Sequence, residues 1–143
     1  MTHPQNVSEF HRATLVDDPQ LELQAIDIQQ LVGECHGRAV AAGWYRDPKT
    51  GEKVQRNVGE QIALMHSELS EMLEAVRKKL PSDHLEGFTG EAEEAADTLI
   101  RLLDYCGYRK IDLGAAYAAK LRFNAQRADH KLENRAKAGG KSF

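Results

Sequence analysis

The sequence predicts an all-α protein, and three observations support this. The chain has only four prolines, and the long segments between them are rich in Ala, Leu, Glu, Lys and Arg. No segment alternates apolar and polar residues with the period of two that a half-buried strand requires. Apolar residues between positions 58 and 76 recur every three or four positions, as they do along a helix of a bundle. We therefore expect a four-helix-bundle-like core.

The first predicted helix covers residues 19–42. Asp18 can cap its start, and Pro19 is tolerated at the first helical position because its missing N–H has no partner there. Gly43 marks the expected end of the helix. Residues 44–51 then contain Asp-Pro and a following Gly, which favour turns, so a loop is expected there.

The second predicted helix covers residues 58–79, with Asn57 as its cap. Its apolar residues step by alternating intervals of four and three, which places them on one side of the helix. This seam is expected to face the rest of the bundle and consists of Val58, Ile62, Met65, Leu69, Met72 and Val76.

Two further helices complete the predicted bundle. The third covers residues 91–106. Thr89 or Gly90 is its start signal, and Gly107, which suits a left-handed cap, is its expected C-cap. Its expected inward residues are Ala92, Ala95, Leu99, Leu102, Leu103 and Cys106. The fourth begins after Asp112, and its early apolar face consists of Leu113, Ala116, Tyr117 and Leu121.

Length and charge narrow the class of protein. With 143 residues and 16.0 kDa, the chain fits one compact domain, expected over residues 19–128 between a flexible arm at 1–18 and a basic tail at 129–143. A net charge of −3 argues against a general nucleic-acid binder. Only two cysteines occur, Cys35 and Cys106, which suits reduced thiols. No leader or membrane-spanning segment is evident, so a soluble cytoplasmic protein is expected.

Two pairs of acidic residues stand out on the second and third helices. Glu68 and Glu71 are three positions apart, as are Glu94 and Asp97, so each pair can point towards one place. Four carboxylates from facing helices suit a hard cation, Mg²⁺ first and Mn²⁺ as a substitute. Glu-x-x-His, the spacing of a di-iron bundle, is missing from these helices. The alternative is a pair of solvated faces, in which Arg101 pairs with Asp97 four positions away.

A polar stripe lies on the fourth helix. Lys120, Asn124 and Arg127 are spaced by four and three positions, so they share one sector of the helix. Two cations and an amide suit a polyphosphate whose other oxygens bind a metal. The alternative is a helix that simply leaves the bundle. We call these three residues the cationic stripe.

Taken in order, Glu68-x-x-Glu71, Glu94-x-x-Asp97 and the cationic stripe resemble the MazG-like branch of the all-α NTP pyrophosphatase superfamily. The likeness covers residues 25–127 and includes the stretch 56–60 that enters the second helix. It implies Mg²⁺-dependent hydrolysis of a nucleoside triphosphate to the monophosphate and pyrophosphate in nucleotide-pool house-cleaning. It also implies a bundle of the MazG type, assembled as a homodimer or homotetramer.

The resemblance also implies roles for individual residues. All four acids would hold Mg²⁺, and a carboxylate of the second helix, Glu68 or Glu71, would orient or deprotonate the attacking water. The cationic stripe would hold the phosphates. Relatives bind the base with aromatic and His residues of helix one and the following loop, so His36, Trp44 and Asn57 are the candidates here. Trp44 can equally fill the core or a lid, and His36 can equally satisfy a local hydrogen bond.

The basic tail resembles the ending of some small bacterial and phage-like members. The pattern R-x-x-x-G-G-K occupies residues 135–141, although Ala138 stands where a His is expected. A nucleic-acid role would depend on the tail's cations, Lys131, Arg135, Lys137 and Lys141, and the acidic balance of the chain disfavours it. No nucleic-acid partner and no membrane partner are therefore expected.

Three other functions remain open at the level of sequence. Two are enzymes with the same metal chemistry and a different pocket: a dUTPase-like relative and a phosphoribosyl-ATP-pyrophosphohydrolase-like relative. The third is a non-catalytic helical dimerisation module whose acidic pairs are solvated surface. A stabilising effect of Mg²⁺ or Mn²⁺ on the folded protein would argue against the third.

Overall fold

The computed structural model describes residues 18–139, and no extended strand occurs among them. Its regular secondary structure is helical, with loops at residues 42–57 and 79–89, which confirms the all-α prediction. The four long helices are α1 Pro19–Ala41, α2 Val58–Lys78, α3 Gly90–Arg109 and α4 Leu113–Gln126, followed by a 3-10 turn Ala128–His130 and a short helix α5 Leu132–Arg135. The predicted arm, apart from Asp18, and residues 140–143 of the predicted tail lie outside the described residues.

Side-chain caps set the helix starts where the sequence predicted them. Asn57, Thr89 and Asp112 each accept a hydrogen bond from the backbone N–H three residues on, at 3.1, 3.2 and 3.0 Å. Asp18 accepts one from the N–H two residues on, at 2.9 Å. Each bond satisfies a donor that the first turn of a helix leaves without a partner. These local signals explain why the four predicted starts agree with the structure.

The predicted end of the third helix is wrong. α3 continues past Gly107 to Arg109 and ends at Lys110, which takes the left-handed conformation with φ 56°. Gly107 has another role, because a Cβ there would lie 2.4 Å from the Cβ of His36. The glycine is thus required for the close approach of α3 to α1, and the left-handed turn that ends α3 falls on a lysine.

The described chain divides into two compact units. Residues 30–111 form the central unit, in which α2 packs along α3. Residues 18–29 and 112–139 form the terminal unit. Within it α4 begins tightly against α1, because a Cβ on Gly114 would lie 2.0 Å from the carbonyl oxygen of Ala25. None of the described helices combines the length and the hydropathy needed to cross a membrane.

The predicted seam of α2 is not buried within the chain. Ile62, Leu69 and Val76 are all exposed, and the buried positions of α2 are Gln61, Glu68 and Ala75, spaced by seven residues. The start of α3 approaches the Ala75 face closely, because a Cβ on Gly90 would lie 3.0 Å from the Ala75 Cβ. Small residues thus set which face of α2 is covered, and the larger apolar side chains are left at the surface.

The predicted inward faces of the other helices are only partly right. On α3, Leu103 and Cys106 are buried, whereas Ala92, Ala95, Leu99 and Leu102 are exposed. On α4 the buried residues are Gly114 and Ala118, while Ala116 and Tyr117 are exposed. Burial raises the pKa of the two free thiols, Cys35 and Cys106, as expected of unreactive fillers. A single copy of this chain therefore leaves much apolar surface uncovered.

Candidate active site

Three of the four predicted metal ligands meet between α2 and α3. One carboxylate oxygen each from Glu68, Glu94 and Asp97 lies within 4.8 Å of the others. Opposite ligands of a Mg²⁺ ion are separated by about 4.2 Å, twice a metal–oxygen distance of about 2.1 Å. Small side-chain movements would thus let this trio hold one hard cation. Burial decreases outward across the trio, because Glu68 is only 5% exposed and Asp97 is exposed.

Glu71, the fourth predicted ligand, lies outside the trio and remains exposed. It lines a groove of about 170 Å³ at the α2–α3 end of the central unit. Every charged residue that lines this groove is acidic: Glu71, Glu74, Asp83, Glu93 and Glu94. Such a surface repels a phosphate unless a cation neutralises it, so the groove suits an anionic ligand only together with a metal.

The electrostatics of Glu94 show how crowded the carboxylates are. Burial, followed by a hydrogen bond with Glu68 and the charges of Glu71, Glu68 and Asp97, raises the pKa of Glu94. Two carboxyl groups can share a hydrogen bond only if one of them carries a proton. A divalent cation can replace that proton and relieve the same repulsion. The residues present therefore fit a hard cation.

Arg101 compensates the buried charge of Glu68. Its Nε donates to Glu68 Oε1 at 2.6 Å, across the contact between α3 and α2. The surface pair between Arg101 and Asp97, which belongs to the solvated-face alternative, does not form among the described residues. The physical reason is that a buried carboxylate without a partner costs far more than a solvated one, so the guanidinium serves Glu68 instead. The sequence missed this pair because the two residues lie on different helices.

A buried polar network joins three helices and the loop after α1. Tyr45 donates from its hydroxyl to the Asp104 carboxylate at 2.9 Å, and His36 Nδ1 lies 2.8 Å from the same carboxylate. Gln61 donates to the Tyr45 hydroxyl at 3.4 Å, and Tyr45 stacks on Tyr108 with ring centres 5.1 Å apart. Burial, with the carboxylate of Asp104, strongly raises the pKa of Tyr45. Of these five residues, the sequence had singled out only His36.

Two of the three candidate base-binding residues line one open pocket of about 610 Å³. Trp44 is 66% exposed in it, and Asn57 lies nearby with its amide oxygen engaged as the cap of α2. Arg56 forms part of the wall, donating from Nη1 to the Trp44 carbonyl at 3.1 Å. Its backbone N–H donates to the Tyr108 hydroxyl at 3.1 Å. The third candidate, His36, is not among the lining residues and bonds Asp104 instead.

The cationic stripe lies in the terminal unit, where an aromatic ring organises it. Lys120 Nζ lies 4.9 Å and Arg127 Cζ 5.6 Å from the centre of the Phe123 ring. Arg127 follows the last residue of α4, and its Nε donates to Asp129 at 2.9 Å. Asn124 Oδ1 is buried and has no hydrogen-bond partner among residues 18–139. Both cations therefore lie at one ring, and Phe123 was not among the predicted site residues. The prediction that all three stripe residues share one sector of the helix is wrong for Arg127, which lies past α4 in an extended conformation.

No family model matches this chain, and no curated protein or solved structure matches it either. The resemblance to the MazG-like enzymes therefore depends on the motif residues themselves.

Proposed function

We propose that the protein is a Mg²⁺-dependent nucleoside triphosphate pyrophosphohydrolase, which converts a (d)NTP to the (d)NMP and pyrophosphate in nucleotide-pool house-cleaning. The observation that carries the proposal is the meeting of Glu68, Glu94 and Asp97 with one oxygen each inside 4.8 Å. The carboxylates of a solvated acidic face are exposed, whereas Glu68 is almost completely buried. Mn²⁺ is the expected substitute for Mg²⁺.

The trio and Glu71 divide the work in this mechanism. Glu68, Glu94 and Asp97 hold the cation, which when bound neutralises phosphate charge and lowers the pKa of a water molecule. Glu71 is exposed, lies outside the trio and faces the groove, so its carboxylate is free to orient the attacking water and take its proton. The water oxygen attacks the α-phosphorus. The bond between the α-phosphorus and the oxygen that bridges it to the β-phosphate breaks, and pyrophosphate leaves.

The other predicted residues bind the rest of the substrate. Lys120, Asn124 and Arg127 bind the phosphates, a role supported by the two cations held at one ring, and Asn124 would donate from its amide nitrogen. Trp44 stacks on the base, supported by its exposure in a pocket large enough for one, and Asn57 offers its amide N–H groups beside it. His36 supports this pocket through Asp104 and Tyr45.

We further infer that the working form is a homodimer or homotetramer in the cytoplasm. Exposed apolar side chains along α2 and α3 support the oligomer, because a monomer rarely leaves so many of them in water. These side chains are Ile62, Leu69, Leu73, Val76, Leu99, Ile100 and Leu102. The two free thiols support a reducing compartment. The same exposed apolar side chains also favour a second candidate, a helical dimerisation module without catalysis.

Pyrophosphate release from a panel of NTPs, dNTPs and phosphoribosyl-ATP tests the proposal. Each substrate is incubated with Mg²⁺, with Mn²⁺ and with EDTA, and the monophosphate is measured as co-product. We expect pyrophosphate release only when the metal is present, at rates that differ from one base to another. Preference for dUTP or phosphoribosyl-ATP in the same panel would identify the related enzymes instead. No release, together with a melting temperature that neither cation changes, would favour the dimerisation module.

A further inference from the structure

We propose that Arg101 is an internal counter-ion, which neutralises Glu68 until a cation displaces it and then binds the anionic ligand that arrives with the cation. This inference rests on the proposed function and assigns a role to a residue outside the motifs. It makes Arg101 a residue that opposes metal binding and favours binding of the substrate. A purely structural ion pair would have neither effect.

The geometry places the guanidinium and the cation in competition for one carboxylate. Arg101 Nε lies 2.6 Å from Glu68 Oε1, and Glu68 is also a member of the trio that meets within 4.8 Å. The side chain of Glu68 is 7% exposed, so it cannot turn to water when it changes partner. The side chain of Arg101 is 41% exposed, so it can. Exchange of partners therefore requires movement of the arginine alone.

The surrounding charges fix the direction of each effect. The negative charges of Glu68, Glu71 and Asp97 all act on Glu94, and Arg101 is the one cation that forms an ion pair with any of these four acids in the described chain. Its positive charge opposes the arrival of a divalent cation a few ångströms away. Removal of this charge should therefore tighten metal binding, although the metal-free protein should lose stability because Glu68 is then buried without a partner.

Once displaced, the guanidinium remains tethered beside the acidic cluster. Its planar fork of N–H donors matches two oxygens of a phosphate, which a lysine ammonium cannot reproduce. A cation on the trio attracts a polyphosphate to the same place, so Arg101 is positioned to bind phosphate oxygens. The two halves of the proposal thus predict opposite changes in affinity from one substitution.

The experiment compares Arg101→Gln, Arg101→Lys and a control, Arg77→Gln. Arg77 lies on α2 and pairs with Glu74 at the surface, so its replacement makes the same charge change in the same unit away from the trio. Isothermal titration at pH 8 measures Mn²⁺ binding, followed by binding of an α,β-imido nucleoside triphosphate in saturating Mn²⁺. We expect Arg101→Gln to bind Mn²⁺ about tenfold more tightly and the analogue about tenfold more weakly, with both affinities unchanged in the control.

The outcomes separate this proposal from the proposed function. If the wild type binds no Mn²⁺, both are overturned. If the wild type binds Mn²⁺ and Arg101→Gln binds it equally or less tightly, only the role of Arg101 is overturned. If Arg101→Gln does not fold, Arg101→Lys decides, because it keeps the charge and loses the fork. We expect unchanged Mn²⁺ affinity and weaker binding of the analogue, and unchanged binding of the analogue would overturn the proposal.

Discussion

Replacement of Gly107 by alanine should destabilise the protein by about 1–2 kcal/mol. A methyl group there would lie 2.4 Å from the Cβ and 2.7 Å from the Cγ of His36. The Cβ of His36 is fixed by its own backbone, so no change of rotamer removes the clash. Overpacking costs about 1–3 kcal/mol, and so short an approach belongs at the upper end, about 2–3 kcal/mol. The higher helix propensity of alanine offsets up to about 1 kcal/mol of this cost, because glycine is a poor helix former. The net loss should lower the melting temperature by roughly 3–6 °C.

Gly37 provides the matched control for this prediction. It lies on α1 one residue from His36, and a Cβ there would meet nothing within 4 Å. Gly37→Ala should therefore keep the propensity gain alone and stabilise the protein by up to about 1 kcal/mol. Urea unfolding of both variants, followed by circular dichroism, measures the two changes. Equal stability of Gly107→Ala and Gly37→Ala would refute the close packing of α3 on α1.

Three further predictions concern the site and its loop. Glu71→Gln should abolish turnover with little change in melting temperature, because its carboxylate is exposed, and Glu74→Gln should remain active in the same assay. Lys120→Ala should weaken triphosphate binding in a titration and leave the stability of the ligand-free protein nearly unchanged. Hydrogen bonds from Ser82 and other donors lower the pKa of Glu93, and a hydrogen bond with Glu93 at 2.7 Å raises the pKa of His84. The stability that His84 contributes should therefore be greatest at roughly pH 4.5–6.5. It should fall when the pH drops through the pKa of Glu93 and also when the pH rises through the pKa of His84. Unfolding of the wild type and of His84→Ala at a series of pH values measures this contribution.

The helix boundaries could be predicted because local chemistry determines them. A cap such as Asn57 or Thr89 bonds a backbone N–H three residues away, so a window of a few residues contains the whole interaction. The spacing of the acidic pairs is equally local, and it correctly indicated that carboxylates of α2 and α3 can meet. Gly107 shows the limit of such reasoning. The same residue type serves as a left-handed cap or as a point of close helix contact, and only the neighbouring helix decides which.

The covered faces and the polar networks could not be predicted because they depend on distant partners. The apolar seam of α2 indicated one buried face, yet the small residues Ala75 and Gly90 allow α3 to approach another. Tyr45 and Asp104 are 59 positions apart, and no spacing rule connects them. Arg101 had a suitable partner on its own helix, but burial of Glu68 made the partner on α2 the stronger competitor. In each case packing decides between choices that look equivalent along the chain.

The burial of Glu68 is the strongest argument that the acidic cluster has a purpose. A carboxylate removed from water is costly even when it is paired, and an apolar side chain of similar size at this position would avoid both that cost and the repulsion felt by Glu94. The chain nevertheless places a third and a fourth acid beside it, which makes the metal-free state less favourable still. A divalent cation among these carboxylates attracts all of them, and this attraction offsets the repulsion that remains between them. The arrangement is therefore unfavourable for a structural helix contact and suited to a site that binds a cation.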